Sequence, residues 1–503
     1  MANLEEESVR LRSSFVPLKH LGDVTIMRRA LFLASFSALL AAGVSFAQTK
    51  KPSNNSKPAA RQDLSPAPVA SPGAPAVPVH PNPYNVYGAQ FPRIEEDNRV
   101  TFHFTAPNAQ KVQVALVTSG QGSLSPLPYD MIKGADGVWT YTSVPQSPGY
   151  HNYWMLVDGS IVLDPATRAF MGYSHMCNGF EIPEAGVDWY DLKDVPHGHL
   201  EAANYFAKSI NAWRHIFVYT PPGYDDKASL KTRYPVVYLQ HGSGEDETVW
   251  FEMGRTNLVV DNLLAAGKAK PMIVVSETSI IAGAGGRGAG PGAGAGGGTA
   301  AGTRGASGPA GAPGAGRGGG FGGGPGGGAY GQLMTNELIP WVDSHFRTLA
   351  DKDHRAMGGL SMGGGITASV TMVNLDKFSY IGLFSGGSAA GFGGGGRGRG
   401  GVAPGGTPSS SPAPPTAPAT LDLKTVYSGA MADPAEFNRK VKVLFMSYGT
   451  EAPLENPEGL KRHQEQLTAA GITNSYIYLS PGTTHEWQTW RRSFYTFAQL
   501  LFK

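Results

Sequence analysis

The stretch His354-Arg355-Ala356-Met357-Gly358-Gly359-Leu360-Ser361-Met362-Gly363-Gly364-Gly365 decides how the rest of this chain is read. Its centre, Gly359 to Gly363, fits the pattern G-x-S-x-G. A strand-like segment at Arg355 to Met357 precedes it and a run of small residues suited to a helix follows. That context predicts a sharp strand-to-helix turn with Ser361 at its apex, where glycines are needed because side chains have no space on either side. Such a turn belongs at the carboxyl end of a strand in a largely parallel sheet, where open α/β sheets bind ligands.

The neighbouring sequence agrees with a parallel sheet. Val236 to Leu239, Met272 to Val275, Tyr380 to Phe384 and Val443 to Met446 read as buried strands. Helical stretches alternate with them. In one, Leu333 to Phe346, the residues Leu338, Val342 and Phe346 recur at helical spacing. Asn456-Pro457 opens another with an N-cap and a first-turn proline, and Gly471 closes it.

A serine hydroxyl needs a base to become a nucleophile near neutral pH. Where the serine sits on such a turn, the acid and then the histidine follow it in the chain. His463 and His485 are therefore the candidates. His463 lies mid-helix between Arg462 and Gln464 and reads as part of a solvated face. His485 follows the strand Tyr476 to Leu479 and the turn Pro481 to Thr484, which places it at a strand's carboxyl end as general base. The acid is expected on the loop after Val443 to Met446. Glu451 is the first choice there, Glu455 the alternative, and Glu458 suits the first turn of the next helix. The oxyanion calls for two backbone N–H groups, expected from Met362 and from Ser243 in the loop His241 to Gly244. His241 itself reads as structural.

Before Leu200 the pattern changes to short alternating strands, among them Val100 to Phe104, Val112 to Leu116 and Val138 to Tyr141. Tyr153 to Val157 is joined to Ile161 to Leu163 through Asp158-Gly159, a strong hairpin signal. The expected organisation is a possible mis-assigned start at 1–26, a signal peptide at 27–47, a disordered linker at 48–81, a β-sandwich at 82–192 and an α/β domain at 193–503. The signal-peptide reading rests on Met27-Arg28-Arg29, the apolar run Ala30 to Val44 and the small residues ending at Ala47. That apolar run is shorter than the roughly 20 residues that span a bilayer. The chain is thus expected to be exported, to the periplasm or beyond the cell, with no stable membrane span after cleavage.

Much of the excess among the 68 glycines sits in two tracts, 282–328 and 386–420, expected as flexible insertions beside the site. Their arginines, Arg287, Arg304, Arg317, Arg397 and Arg399, would make them weakly cationic. The formal charge of +2 and the lack of a basic block argue against nucleic acid as a partner. The single cysteine, Cys177, excludes an internal disulfide and a cysteine-based zinc site, and reads as a buried or half-exposed thiol. Neither a cofactor nor a metal is expected.

With these residues assembled, the region from about Leu200 to Lys503 resembles the esterase D-like family of carboxylesterases. That family includes feruloyl, acetyl xylan and enterochelin esterases and mycolyltransferases. Tyr234 to Trp250, His354 to Gly365, Lys377 to Gly386 and His485 to Arg491 carry the likeness. The segment from about Arg99 to His197 looks like the E-set, starch-binding-module-like sandwich that precedes such esterases. Val100 to Asn108, Gly137 to Trp139 and Leu163 to Pro165 carry that second likeness. The resemblance implies an α/β-hydrolase fold preceded by an immunoglobulin-like sandwich, and a Ser-acid-His triad on Ser361 and His485. It departs at the acid, because members commonly have Asp three residues after the glycine matching Gly449, where this chain has Ala452.

The implied activity is ester hydrolysis, first on acyl or feruloyl groups of plant cell-wall polysaccharide. Trp250, Trp487 and Trp490 are candidates for an aromatic wall around a sugar or phenolic acid, although large aromatics more often stabilise a core. Siderophore trilactone hydrolysis and acyl transfer to a sugar use the same triad and stay open, as does a catalytically silent carbohydrate-binding protein.

Overall fold

A computed structural model of the chain describes residues 64–71, 78–116, 126–281, 328–389, 421–453 and 455–503. The expected signal peptide and all but the ends of the two glycine-rich tracts lie outside the described residues.

Eight strands form the central sheet: His199–Ala207 (β1), Ala212–Thr220 (β2), Val236–Gln240 (β3), Ile273–Glu277 (β4), Arg355–Leu360 (β5), Tyr380–Phe384 (β6), Val443–Gly449 (β7) and Ser475–Ser480 (β8). Their spatial order is β1-β2-β4-β3-β5-β6-β7-β8. β1 pairs antiparallel with β2, and β2 with β4, while all pairs from β4 through β8 are parallel. The reversal of order at β3 and β4 is a topological switch, and ligands in such sheets sit outside the carboxyl ends of the strands beside it.

Both faces of the sheet are covered, which explains why the inner strands are buried at every position instead of at alternate ones. In β3, Val237 and Leu239 enter one core with Trp250, Phe384 and Trp490, while Val236 and Tyr238 enter the other with Leu338, Val342 and Phe378. β4 divides in the same way, Val274 to the first core and Ile273 and Val275 to the second. The C-terminal helix, Trp487–Ala498, packs into the first core and is buried along its whole length.

The N-terminal module consists of two antiparallel sheets. One has five strands, centred on Val100–Thr105 and Val138–Thr142, and the other six, centred on Gly149–Val157 and His175–Ile182. Phe102 and Val100 from the first meet Val112, Val114, Tyr153 and Phe180 from the second in a shared core. The Asp158-Gly159 hairpin is present, both residues having positive φ, between Gly149–Val157 and Ser160–Val162. Cys177 is fully buried, and burial pushes its thiol up to about 12.

Part of the expected linker is built into the fold. Residues 64–71 lie against the first core: Leu64 and Ala67 join it, Trp189 donates its indole N–H to the Pro68 carbonyl, and Gln499 donates to the Ser65 carbonyl. Ala70 N–H reaches Glu184 at 2.9 Å. His80–Pro81 already pairs with Arg93–Ile94 at the edge of the first sheet. The segment's composition concealed this, because a few small apolar contacts and backbone hydrogen bonds hold it in place of a hydrophobic run.

The module is fastened to the C-terminal helix by buried ion pairs. Arg491 makes two bonds to Glu181, of 2.6 and 3.0 Å, and Arg255 approaches the same carboxylate at 3.4 Å. Arg492 reaches Glu184 at 2.7 Å. Burial opposes ionisation of Glu181, but Arg255 and Arg491 overcome it and hold the carboxyl down at about 2.

Candidate active site

β5 runs into the turn Gly359 to Gly363, and backbone proximity explains its glycines. A Cβ on Gly359 would lie 2.3 Å from the Gly363 carbonyl oxygen, and one on Gly363 would lie 2.4 Å from that of Gln240. Only hydrogen fits at either position, so the helix Met362–Thr371 starts directly against the end of β3. Ser361 between them has φ 51° and ψ −116°, a conformation costly for a non-glycine residue. Its N–H donates to the Phe384 carbonyl at 2.8 Å, tying the apex to the end of β6.

His485 stands on the loop after β8. That loop is laced to the one after β7: Glu451 N–H donates to the Thr483 carbonyl at 2.9 Å and Gly482 N–H to Thr450 Oγ1 at 2.8 Å. Ser147 of the module reaches Glu486, the next residue, at 3.1 Å. So held, the imidazole accepts from Ser361 Oγ at Nε2 over 2.9 Å and donates from Nδ1 to Glu455 Oε1 over 2.8 Å. The other carboxylate oxygen of Glu455 accepts the Gly449 N–H at 2.8 Å. The Glu455 side chain has no solvent exposure and that of His485 retains 8%. The arrangement can move a proton from a serine hydroxyl onto an imidazole whose positive charge a buried carboxylate offsets.

The carboxylate beside His485 is therefore Glu455, and the first choice, Glu451, is corrected. Glu451 uses its backbone for the Thr483 bond, and among the described residues its exposed side chain accepts from Thr450 Oγ1 at 3.1 Å. The chain then turns through Ala452, with Glu455 N–H donating back to the Ala452 carbonyl at 3.1 Å, and returns Glu455 to the strand end at Gly449. Ala452, where the family resemblance places an acid, is buried. The loop thus delivers its carboxylate from farther along than that spacing suggests. The sequence signal was Glu455 standing directly before the N-cap Asn456, where a helix start fixes its place.

Other expectations are corrected too. Trp250 is fully buried and donates its indole N–H to the Gln240 carbonyl at 2.9 Å, so it is core and not wall. Trp487 and Trp490 are also buried, edge to face with each other at 5.2 Å, and the Trp490 and His485 rings stand perpendicular with centroids 5.2 Å apart. They shape the seat of the histidine. His463 is on the inner side of its helix, 3% exposed, bonded to the Tyr427 hydroxyl at 3.1 Å, and burial lowers it to about 4. Leu460 and Leu467, three and four residues away, share its core-facing stripe.

Of the two expected oxyanion donors, Met362 is the first residue of the helix after Ser361 and Ser243 is exposed in the turn after β3. Sequence reasoning missed two contacts at that turn. Gly242 N–H donates to Glu245 Oε2 at 2.7 Å, and the N-terminal module reaches the loop through Ser174 N–H to the Gly244 carbonyl at 2.9 Å. Glu245 carried the only local signal, an acidic residue three positions after Gly242.

The family model described as "Putative esterase" matches residues 207–279 and 312–499 of the chain. An endo-1,4-beta-xylanase/feruloyl esterase of Xylanibacter ruminicola is 33% identical over 84% of this chain and 47% of its own length. Endo-1,4-beta-xylanase Y of Acetivibrio thermocellus is 27% identical over 35% of this chain and 13% of its own. The chain spans less than half the length of either relative. Among solved structures, an enterochelin esterase from Shigella flexneri superposes with a TM-score of 0.50 at 14% identity, covering 80% of this chain and 91% of that one. That likeness is one of fold.

Proposed function

From the premise that this chain belongs to the esterase family just matched, we propose that it is a serine carboxylic ester hydrolase working through Ser361, His485 and Glu455. The observation that carries the reading is the unbroken pair of hydrogen bonds from Ser361 Oγ to His485 and from His485 to Glu455. Ser361 Oγ attacks the ester carbonyl and passes its proton to His485 Nε2. Glu455 keeps the imidazole in the tautomer with hydrogen on Nδ1 and stabilises the imidazolium. The N–H groups of Met362 and Ser243 receive the oxyanion. His485 then protonates the departing alcohol, and water, activated by the same imidazole, releases the acid from Ser361. No cofactor enters this scheme.

The substrate class we assign is acyl or feruloyl esters of plant cell-wall polysaccharide. The naming of the Xylanibacter relative as a xylanase/feruloyl esterase, across most of this chain, supports it. Export through the segment at 27–47 would bring the enzyme to such a polymer. We read the N-terminal two-sheet module as an E-set, immunoglobulin-like sandwich. Turnover of methyl ferulate, acetylated xylan and enterobactin by the full chain and by Ser361→Ala is the test. Ferulate or acetate release that needs Ser361 is the expected result. Turnover of enterobactin alone would reassign the substrate to siderophore esters, and no turnover of any ester would end the reading.

A further inference from the structure

The loop leaving β3 is held from three sides. His241 is fully buried, with Nδ1 2.7 Å from the Gly242 carbonyl oxygen and Nε2 3.3 Å from Ser279 N. An amide only donates, so Nε2 accepts and Nδ1 carries the hydrogen that the Gly242 carbonyl receives. The module holds Gly244 through Ser174. From within the loop, the buried carboxyl of Glu245 accepts the Gly242 N–H. Both backbone polar groups of residue Gly242, its N–H and its carbonyl, are thus occupied. The next N–H along the chain is that of Ser243. Position 242 is also tight: a Cβ there would meet Leu360 Cδ1, beside the nucleophile, at 2.7 Å and Glu245 Oε2 at 2.9 Å.

We propose that Glu245 is a positioning residue of this esterase, a buried carboxyl that holds the Gly242 N–H and so fixes the loop from which the Ser243 N–H is aimed at the oxyanion. The inference rests on the hydrolase reading above and names a residue that the triad does not include. Neutrality matters because a carboxylate one peptide away from a developing oxyanion, in a site of low polarity, would oppose the charge that the N–H groups stabilise. The groups facing Glu245 are Asp246 on its own loop, Tyr173 and Cys177 from the module, Trp487 from the C-terminal helix and, one peptide away, His241. Burial keeps His241 neutral, so these neighbours offer no positive charge. Burial, with Asp246 adding to it against the Gly242 hydrogen bond, pushes the Glu245 carboxyl up to about 8.

The test is the pH dependence of kcat and KM for p-nitrophenyl acetate, from about pH 6 to about pH 10, with the full chain, Glu245→Gln and Glu245→Leu. Wild-type kcat should fall about tenfold per pH unit once Glu245 ionises, with KM little changed. Glu245→Gln keeps a neutral acceptor for Gly242 N–H and should hold its kcat across that range. Glu245→Leu has no acceptor and should lose kcat by about a hundredfold at neutral pH. A Leu variant that fails to fold leaves the Gln comparison to decide. An alkaline limb shared by wild type and Glu245→Gln, or absent from both, overturns the inference while the hydrolase reading stands. A wild type that turns over no ester removes both.

Discussion

Two polar clusters meet the C-terminal helix six residues apart: His485 with Ser361 and Glu455 ahead of its first turn, and Arg491 with Glu181 and Arg255 along its body. Both are buried and both centre on a glutamate that accepts short hydrogen bonds. They differ in whether a proton can move. An imidazole can take a proton at one ring nitrogen while keeping the hydrogen on the other, so the first cluster can move a proton off the serine. A guanidinium stays charged in proteins, so the second is a fixed electrostatic joint. One cluster should therefore be felt in rate and the other in stability.

The largest expected effect is on rate. Ser361→Ala should lower ester turnover by roughly ten thousandfold or more while its thermal midpoint stays near wild type. A turnover close to wild type would break the comparison at its first term. Next, Glu455→Gln should lower kcat by about a thousandfold or more, because an amide neither enforces the imidazole tautomer nor balances an imidazolium. Glu451→Gln should stay within about threefold, in line with small effects at exposed sites. The opposite ranking in steady-state kinetics would return the acid's role to Glu451.

On the stability side, Arg491→Met leaves the buried Glu181 with the Tyr84 hydroxyl at 3.0 Å and Arg255 at 3.4 Å as its remaining side-chain partners among the described residues, and should cost about 3 to 5 kcal/mol in denaturant unfolding. The folded fraction should keep its kcat. A loss of kcat without a loss of stability would show that the joint serves chemistry. The smallest effect is a pH slope. Glu181 is depressed from 4.5 to about 2, so its stabilisation is complete above its unfolded value and disappears as pH falls through that interval. Glu181→Gln should flatten the acid limb of the stability profile, and an unchanged limb would remove the pair's electrostatic role.

The same contrast explains what could be read from the chain. The elbow at Ser361 is dictated by backbone contacts that leave glycines in consecutive positions, so its signal is local. The inner strands advertised themselves by buried faces on both sides. Glu455 could only be weighed against Glu451, because the choice depends on where a turn through Ala452 returns the chain. Trp250 and His463 misled in the same direction, an aromatic offered as a candidate wall and a histidine expected in solvent, since neighbours remote in sequence bury both. Glu181, Glu184 and the Ser174 turn had no local pattern, because their partners lie on the other side of the module boundary.

That boundary has a practical meaning for anyone wishing to shorten, fuse or recombine the protein. A cut near residue 192 follows the change from sandwich to mixed sheet and looks clean on paper. It would strip Arg491 and Arg492 of their counter-ions, unseat Ser147 from the histidine loop and release the Ser174 grip on the loop after β3. The two parts are thus one unit of inheritance. A gene fragment beginning at the mixed sheet should yield insoluble protein, and a working transplant would have to carry the sandwich and the strap at residues 64–71 along with the triad.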